Sequence, residues 1–174
     1  PKKKKQYEEK IRKEKVIDDV KKAKKRKKFA LFFLIWIFIF GISLVRKGFQ
    51  NDTFYTIEIG ELILNNGIDM LDHFSFHENL AYTYPHWLYD VFIYLCYKVG
   101  GYTGIYISTV VLLLVFLGLM FNINKKITDG NYSIAAFATF VGALSISGFA
   151  TARAQLASFL IFALEIYFIE MFLK

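Results

Sequence analysis

The chain of 174 residues is poor in cysteine and proline, with one cysteine, Cys96, and two prolines. A single cysteine can form no internal disulfide and is too few for a cysteine-ligated metal cluster. Nucleotide-binding patterns are also missing, because the sequence contains neither a Gly-x-Gly-x-x-Gly motif nor a Walker motif. It has no Gly-x-Ser-x-Gly nucleophile elbow either. These absences give no support to nucleotide-sugar chemistry, ATP chemistry or serine hydrolysis.

Charge is almost absent from four long stretches of the chain. Residues 29–45, 101–123 and 130–152 carry no charged side chain, and residues 154–173 carry only two glutamates. A helix needs about 20 mainly apolar residues to cross roughly 30 Å of hydrocarbon. The sequence therefore predicts an all-α, integral membrane helical bundle with about four spanning helices. These helices are expected at about residues 29–45, 104–123, 132–151 and from 154 onwards.

The excess of basic residues is concentrated at the amino terminus. Residues 1–28 hold 15 of the 22 basic side chains and 5 of the 15 acidic ones, a net charge of +10. The rest of the chain therefore holds 7 basic and 10 acidic groups, a net of −3, and the two parts sum to +7. A nucleic-acid-binding domain would spread basic and aromatic residues over a folded surface, so nucleic acid is not predicted as a partner.

The basic segment predicts the orientation of the chain in the membrane. Cytoplasmic flanks of spanning helices are enriched in lysine and arginine, so residues 1–28 are interpreted as a cytoplasmic tail near anionic lipid headgroups. The protein is thus predicted to be a multi-pass protein of the cell membrane with its amino terminus inside. Residues 29–174 form its membrane domain, interpreted as a fragment of a longer protein, and residues 46–103 form the first outer loop.

The outer loop 46–103 holds all three histidines and seven acidic residues, yet it is too apolar to be a free loop. Two helical patterns of about a dozen residues occur in it, at 54–66 and 88–99, each with one apolar face. The first is followed by Gly67 and the second by a pair of glycines, and glycine is a typical helix stop. Two amphipathic helices lying in the membrane interface are therefore predicted.

Asp52 stands just after the first predicted span, at the start of the first amphipathic helix. One interpretation is an N-cap, because aspartate is among the best capping residues. The other is a carboxylate held at the membrane surface as the general base for a lipid-borne substrate. The two roles are compatible, because helix amides keep a capping carboxylate ionised, and both stay open.

Asp72 and His73 form a second group of polar residues in the outer loop. The imidazole could share a proton with the carboxylate, or Asp72 could close a turn on its own backbone. His73 and His77 have the four-residue spacing of a helical metal pair, but no third ligand stands at a suitable spacing, so no metal site is predicted. His86 is left open between capping the second amphipathic helix and facing a substrate.

Arg153 is the only charged residue between Asp129 and Glu165. It could anchor the last predicted helix at the membrane surface. However, Glu165 follows 12 residues later, about 18 Å along a helix, so the two charges cannot reach opposite surfaces across roughly 30 Å. Either one of them lies in a cavity lined by protein or water, or the helix is short and the membrane around it is thinned. A guanidinium at the outer end would face the same compartment as Asp52 and would bind phosphate well.

Five short motifs occur in order along residues 29–174. In this order they resemble the amino-terminal part of bacterial polytopic membrane glycosyltransferases of the C superfamily, in particular an uncharacterised branch of mannosyltransferase-like proteins. Two positions depart from the usual pattern of that branch: Ala154 stands where proline is usual, and Phe54-Tyr55 stand where paired tryptophans are usual. The motifs are Asp52-Thr53, Gly60-Glu61-Leu62-Ile63, Asp72-His73-Phe74-Ser75, Trp87-Leu88 and Arg153-Ala154-Gln155-Leu156-Ala157-Ser158.

The resemblance implies a membrane transferase that uses a polyprenyl-phosphate sugar as donor, at a site on the outer face. By position, Asp52 would be the catalytic base that deprotonates the acceptor hydroxyl, with inversion at the anomeric carbon. Arg153 would bind the lipid phosphate, and Asp72 and His73 would be secondary candidates for acceptor binding. The superfamily varies in metal use, so no cofactor is assigned and a divalent metal is left open.

Two other functions stay open from the sequence. A transporter or lipid-handling membrane protein without catalysis would use the same charges for binding alone, although no paired half typical of such transporters is visible. A non-catalytic membrane anchor would use the basic tail to bind anionic lipid, but the acids and histidines of the outer loop count against it. The leading expectation is the glycosyltransferase, with membrane lipid and a polyprenyl-phosphate sugar as partners.

Overall fold

The structure is a computed structural model that describes residues 2–46, 48–78 and 80–173. All regular elements within these ranges are helical, and one isolated antiparallel bridge joins Leu71 to Ala81. The all-α fold predicted from the sequence is therefore confirmed. The helices are α1 (Lys2–Leu44), α2 (Asn51–Asn66), α3 (Trp87–Ile127), α4 (Tyr132–Ser145) and α5 (Ala154–Phe172), with a short 3-10 helix at Ser147–Phe149.

Three of these helices are long and apolar enough to cross a membrane: the Ile11–Leu44 part of α1, the whole of α3, and α5. The protein is therefore an integral membrane protein. The third predicted span, at about 132–151, is shorter, because α4 ends at Ser145 after 14 residues, about 21 Å. The Ser145 hydroxyl donates to the Val141 carbonyl at 3.0 Å. Such back-bonding bends and weakens a helix.

Helix α1 runs through the predicted tail and the first span without a break. Ion pairs one helical turn apart support its basic part, with Glu9 3.0 Å from Lys13 and Asp18 2.8 Å from Lys22. All side chains described between residues 7 and 29 are exposed. The tail thus adds helix but no core, as its composition predicts.

Helix α3 is bent at Gly101, whose φ of 57° and ψ of −147° are not helical. Glycine adopts a positive φ without the steric cost of a Cβ atom. The bend divides α3 into a first arm, which contains the second predicted amphipathic helix, and a second arm, which contains the second predicted span. The first amphipathic helix is also present as α2, which ends at Asn66 before Gly67 with a φ of 83°.

Helices α2 and α3 cross in close contact at Gly60. A Cβ atom at Gly60 would lie 2.2 Å from the backbone oxygen of Asp90 and 2.7 Å from the Cβ atom of Tyr94. Around this crossing, Ile57 of α2 and Ile93 of α3 are buried in one apolar cluster. The crossing therefore fixes the start of α3 against α2, and this arrangement positions the functional site.

Gly60→Ala is expected to destabilise the fold because the added methyl group meets backbone. The steric cost of overpacking is about 1–3 kcal/mol, which exceeds the gain in helix propensity of up to about 1 kcal/mol. The matched control is Gly118→Ala in α3, where the nearest side-chain atom to the new Cβ lies 3.7 Å away. Thermal unfolding in detergent should show a lower midpoint for Gly60→Ala than for Gly118→Ala. Equal midpoints would contradict the close contact between α2 and α3 at Gly60.

Candidate functional site

An open cavity of about 350 Å³ lies where the starts of α2, α3 and α5 meet. Its wall includes both charges of an ion pair, a histidine and a tyrosine, so the cavity is polar and unlike the rest of the apolar bundle. An apolar cluster that includes Ile57, Tyr89 and Ala152 is buried close to these helix starts. The cavity is lined by Asn51, Asp52, Tyr55, Thr56, His86, Ala152, Arg153, Ala154 and Gln155.

Asp52 and Arg153 form an ion pair in this cavity, although they are 101 residues apart in the chain. The expectation that Asp52 and Arg153 face the same compartment agrees with this placement, and of the two residues Arg153 and Glu165 it is Arg153 that lines a cavity. The Asp52 side chain is 60% exposed and that of Arg153 is 35% exposed. An ion pair this open to solvent contributes about 1 kcal/mol or less to stability, so both charges remain accessible to a ligand.

The interpretation of Asp52 as an N-cap is wrong. Helix α2 begins at Asn51, and the cap position is held by Gln50, which makes no side-chain capping hydrogen bond. Asp52 lies in the first turn of α2, where the helix dipole favours a negative charge. Its carboxylate binds Arg153 and does not bind the helix amides, because the turn before α5 brings that guanidinium close.

The turn before α5 is held by hydrogen bonds to two other parts of the chain. The Ala150 carbonyl accepts from the backbone N–H of Arg46 at 3.1 Å, and the Ala152 carbonyl accepts from the Thr53 hydroxyl at 3.3 Å. Helix α5 then starts at Ala154. Arg153 is placed by backbone contacts that do not depend on its own charge.

His86 and Asp90 form a second polar pair at the cavity, which sequence reasoning did not identify. The Nδ1 atom of His86 lies 2.9 Å and 3.0 Å from the two carboxylate oxygens of Asp90. The Asp90 side chain is only 2% exposed, whereas that of His86 is 41% exposed. The hydroxyl of Thr56, on α2, also bonds to this carboxylate. The His-x-x-x-Asp spacing of one helical turn was the signal that could have indicated this pair.

Asp72 and His73 lie outside this cavity, in the segment between α2 and α3. They line a separate concavity of about 330 Å³ that shares no lining residue with the first. The Asp72 carboxylate accepts from the backbone N–H of Phe74 at 2.9 Å, which is the turn that the sequence left open. Phe74 in turn packs on Tyr55, which lines the first cavity, with ring centroids 5.1 Å apart. The two concavities are thus neighbours, joined by this aromatic contact.

Asp69 organises the segment between α2 and α3. Its carboxylate accepts from the backbone N–H of Leu71 at 3.1 Å, bonds to His73 Nε2 at 2.5 Å and accepts from the Tyr84 hydroxyl at 3.2 Å. These contacts, first the Leu71 amide and then the His73 ring, lower the pKa of Asp69 below its ordinary value. The same carboxylate contributes to a raised pKa of Tyr84, whose main cause is desolvation.

Acidification is expected to loosen residues 67–86 before the helices unfold. A lowered pKa means that the stabilising contacts of Asp69 are complete above its unfolded pKa and are lost as the pH falls through its folded pKa. Amide hydrogen exchange between pH 7 and pH 3 should show this loss in the wild-type protein. Asp69→Asn should remove most of the pH dependence, and an unchanged dependence in that variant would contradict the role of Asp69.

The arrangement brings two of the four sequence-predicted site residues together, Asp52 and Arg153, and places the other two, Asp72 and His73, in the separate neighbouring concavity. Among the residues that the structure describes, no three His, Cys, Asp or Glu side chains are grouped as a metal ion would require. Comparisons with protein-family models, with curated proteins and with solved structures gave no match for this chain.

Proposed function

We propose that this protein is a membrane glycosyltransferase that moves a sugar from a polyprenyl-phosphate donor to a hydroxyl acceptor on the outer face of the membrane. The observation that carries the proposal is the accessible Asp52–Arg153 pair in a polar cavity of a membrane protein. It supplies a carboxylate that can take a proton and a cation that can bind a phosphate. The motif resemblance to the C superfamily points to the same two residues.

The proposed reaction needs one base and one cation. The acceptor oxygen forms a bond to the anomeric carbon, and its proton passes to the Asp52 carboxylate. The bond between the anomeric carbon and the phosphate oxygen breaks, and its electron pair stays on the lipid phosphate. Arg153 stabilises the negative charge that develops there, because a guanidinium can bind phosphate through two parallel hydrogen bonds.

Donor binding would also free the base. In the absence of a donor, Arg153 is engaged by Asp52, which leaves that carboxylate partly neutralised. A donor phosphate is a strong competitor for the guanidinium. When the phosphate takes the place of the carboxylate, Asp52 is released to accept the proton, so the site becomes reactive only when the donor is present.

An apolar groove next to the cavity fits the lipid part of such a donor. The groove has a volume of about 360 Å³ and shares His86 and Ala154 with the polar cavity. Its wall includes Leu88 and Phe92 of α3 and Ile161 of α5. A phosphate on Arg153 would therefore stand at the junction of a polar space for the sugar and an apolar space for the isoprenoid chain.

The orientation of the chain belongs to the same proposal. We assign the basic part of α1 to the cytoplasm, near anionic lipid headgroups, because basic flanks favour that side. The cavity at the starts of α2, α3 and α5 then opens on the outer face of the cell membrane. Asp72 and His73, in the neighbouring concavity, are assigned to the outer part of the acceptor.

The proposal is tested by product analysis with the full chain in lipid vesicles. The probes are radiolabelled polyprenyl-phosphate mannose, glucose and galactose, supplied with an envelope fraction of the producing cells as acceptor. We expect a new glycosidic bond with inverted configuration for one of these donors. Labelled donor that crosses the bilayer intact, without a new bond, would instead indicate a transporter and would contradict the proposal.

A further inference from the structure

The pair formed by His86 and Asp90 has a geometry that determines which ring nitrogen carries a proton. An ionised carboxylate only accepts hydrogen bonds, so with Asp90 ionised the Nδ1 atom that lies 2.9–3.0 Å from both of its oxygens is the donor. In a neutral imidazole the other ring nitrogen is then unprotonated. Nε2 of His86 is therefore a hydrogen-bond acceptor.

Nε2 of His86 is available to a ligand. Within the described parts of the chain, Nε2 makes no hydrogen bond to protein, whereas Nδ1 is committed to Asp90. His86 lines both the polar cavity that contains Asp52 and Arg153 and the apolar groove beside it. The free nitrogen thus belongs to a side chain at the junction of these two spaces.

A purely structural role does not account for the pair. His86 occupies the cap position of α3 but makes no side-chain capping hydrogen bond. Burying a carboxylate such as Asp90 costs free energy that an apolar residue of similar size would avoid. The close contact with Gly60 and the bond from Thr56 hold Asp90 in place, so the ring of His86 is held in one orientation.

We propose that His86 binds the acceptor of the sugar: its Nε2 accepts a hydrogen bond from an acceptor hydroxyl and orients that hydroxyl for proton removal by Asp52. Asp90 is the positioning residue that holds the proton of the neutral ring on Nδ1 and so leaves Nε2 as the acceptor. This inference rests on the proposed transferase function and adds the group that recognises the acceptor. The class of ligand it selects is a polyol or glycan that presents a hydroxyl as a hydrogen-bond donor.

The first test separates the two ring nitrogens by substitution in the full chain. His86→Asn keeps an N–H donor near the position of Nδ1 and removes the group at Nε2, whereas His86→Gln places an amide near Nε2. In vesicles with labelled polyprenyl-phosphate sugar, His86→Asn should raise the half-saturating amount of envelope acceptor by about tenfold or more. His86→Gln should recover part of this loss, and Asp90→Asn should resemble His86→Asn.

Hydrolysis of the donor by water is the control reaction. It needs the base and the phosphate-binding cation but no oriented acceptor, so His86→Asn should lower hydrolysis much less than it lowers transfer. An unchanged half-saturating amount in His86→Asn overturns the inference, and so does an equal loss of hydrolysis, which would make His86 part of the proton transfer itself. A wild-type protein that releases no polyprenyl phosphate refutes the proposed function instead.

A spectroscopic measurement tests the inference without turnover. The chain has three histidines, so the ¹⁵N spectrum of histidine-labelled protein in nanodiscs is simple, and His86→Asn identifies the signals of His86. At a pH where the ring is neutral, we expect the proton on Nδ1, and a shift towards the other tautomer in Asp90→Asn. A wild-type ring with its proton on Nε2 overturns the inference whatever the activity of the protein.

Discussion

Replacing Asp52 by Asn is expected to lower sugar transfer by about 100-fold or more, because a positioned general base contributes that much to catalysis. The substitution keeps the size of the side chain and removes its charge and its basicity. Donor binding should be unchanged or tighter, since Arg153 loses a competitor for the phosphate. The initial rate of transfer at saturating donor, measured in vesicles, gives the comparison.

The control for this prediction is stability. The Asp52–Arg153 pair is open to solvent, so its loss should change the free energy of unfolding by about 1 kcal/mol or less. An Asp52→Asn protein that folds normally and transfers sugar at the wild-type rate would show that Asp52 is not the base. A neutral substitution at another acidic surface position, Glu58→Gln in α2, should leave both rate and stability unchanged.

Replacing Arg153 by Gln is expected to weaken donor binding by about 10- to 100-fold, as the loss of a charged hydrogen bond to phosphate would. Arg153→Lys should keep part of the binding, because lysine supplies the charge without the planar fork of a guanidinium. The measurement is the concentration of polyprenyl-phosphate sugar that gives half of the maximal transfer rate in each protein. Equal half-saturation in all three proteins would remove Arg153 from the site.

Exchange of the two charges separates a catalytic pair from a structural one. In the double variant Asp52→Arg with Arg153→Asp, an ion pair between α2 and α5 can still form. Stability should therefore stay close to that of wild type, whereas transfer should be lost, because the base and the cation occupy each other's positions. Retained transfer in this variant would show that the Asp52–Arg153 pair is structural and that the base and the cation are other residues.

The spanning helices could be predicted because their signal is local. An uncharged run of about 20 residues predicts a span whatever surrounds it, and α3 and α5 agree with that expectation. The ends of α2 and of the first arm of α3 were also predictable, since Gly67 and Gly101 adopt a positive φ at those points. Helix α4 is shorter than its uncharged run, because uncharged residues do not all have to be helical.

For the site, the sequence could predict only on which side of the membrane each residue lies. Asp52 and Arg153 are predicted on the same side of the membrane. This places them in one compartment but does not give the distance between them. The four-residue spacing of His86 and Asp90 could have indicated that they pair. The packing of α3 on α2 at Gly60, beside which Asp90 is buried, is a contact between helices that no single-sequence pattern reveals. Asp72 and His73 lie in an irregular segment whose course depends on contacts such as the Leu71–Ala81 bridge.

The most direct test of the account is the release of polyprenyl phosphate from polyprenyl-phosphate sugar by wild-type and Asp52→Asn protein, side by side in the same vesicles. We expect the wild-type protein to release one polyprenyl phosphate for each sugar transferred, and the variant to release it at about one hundredth of that rate or less. Equal release by the two proteins, or none by wild type with any of the three sugar donors, would contradict a transferase centred on Asp52 and Arg153.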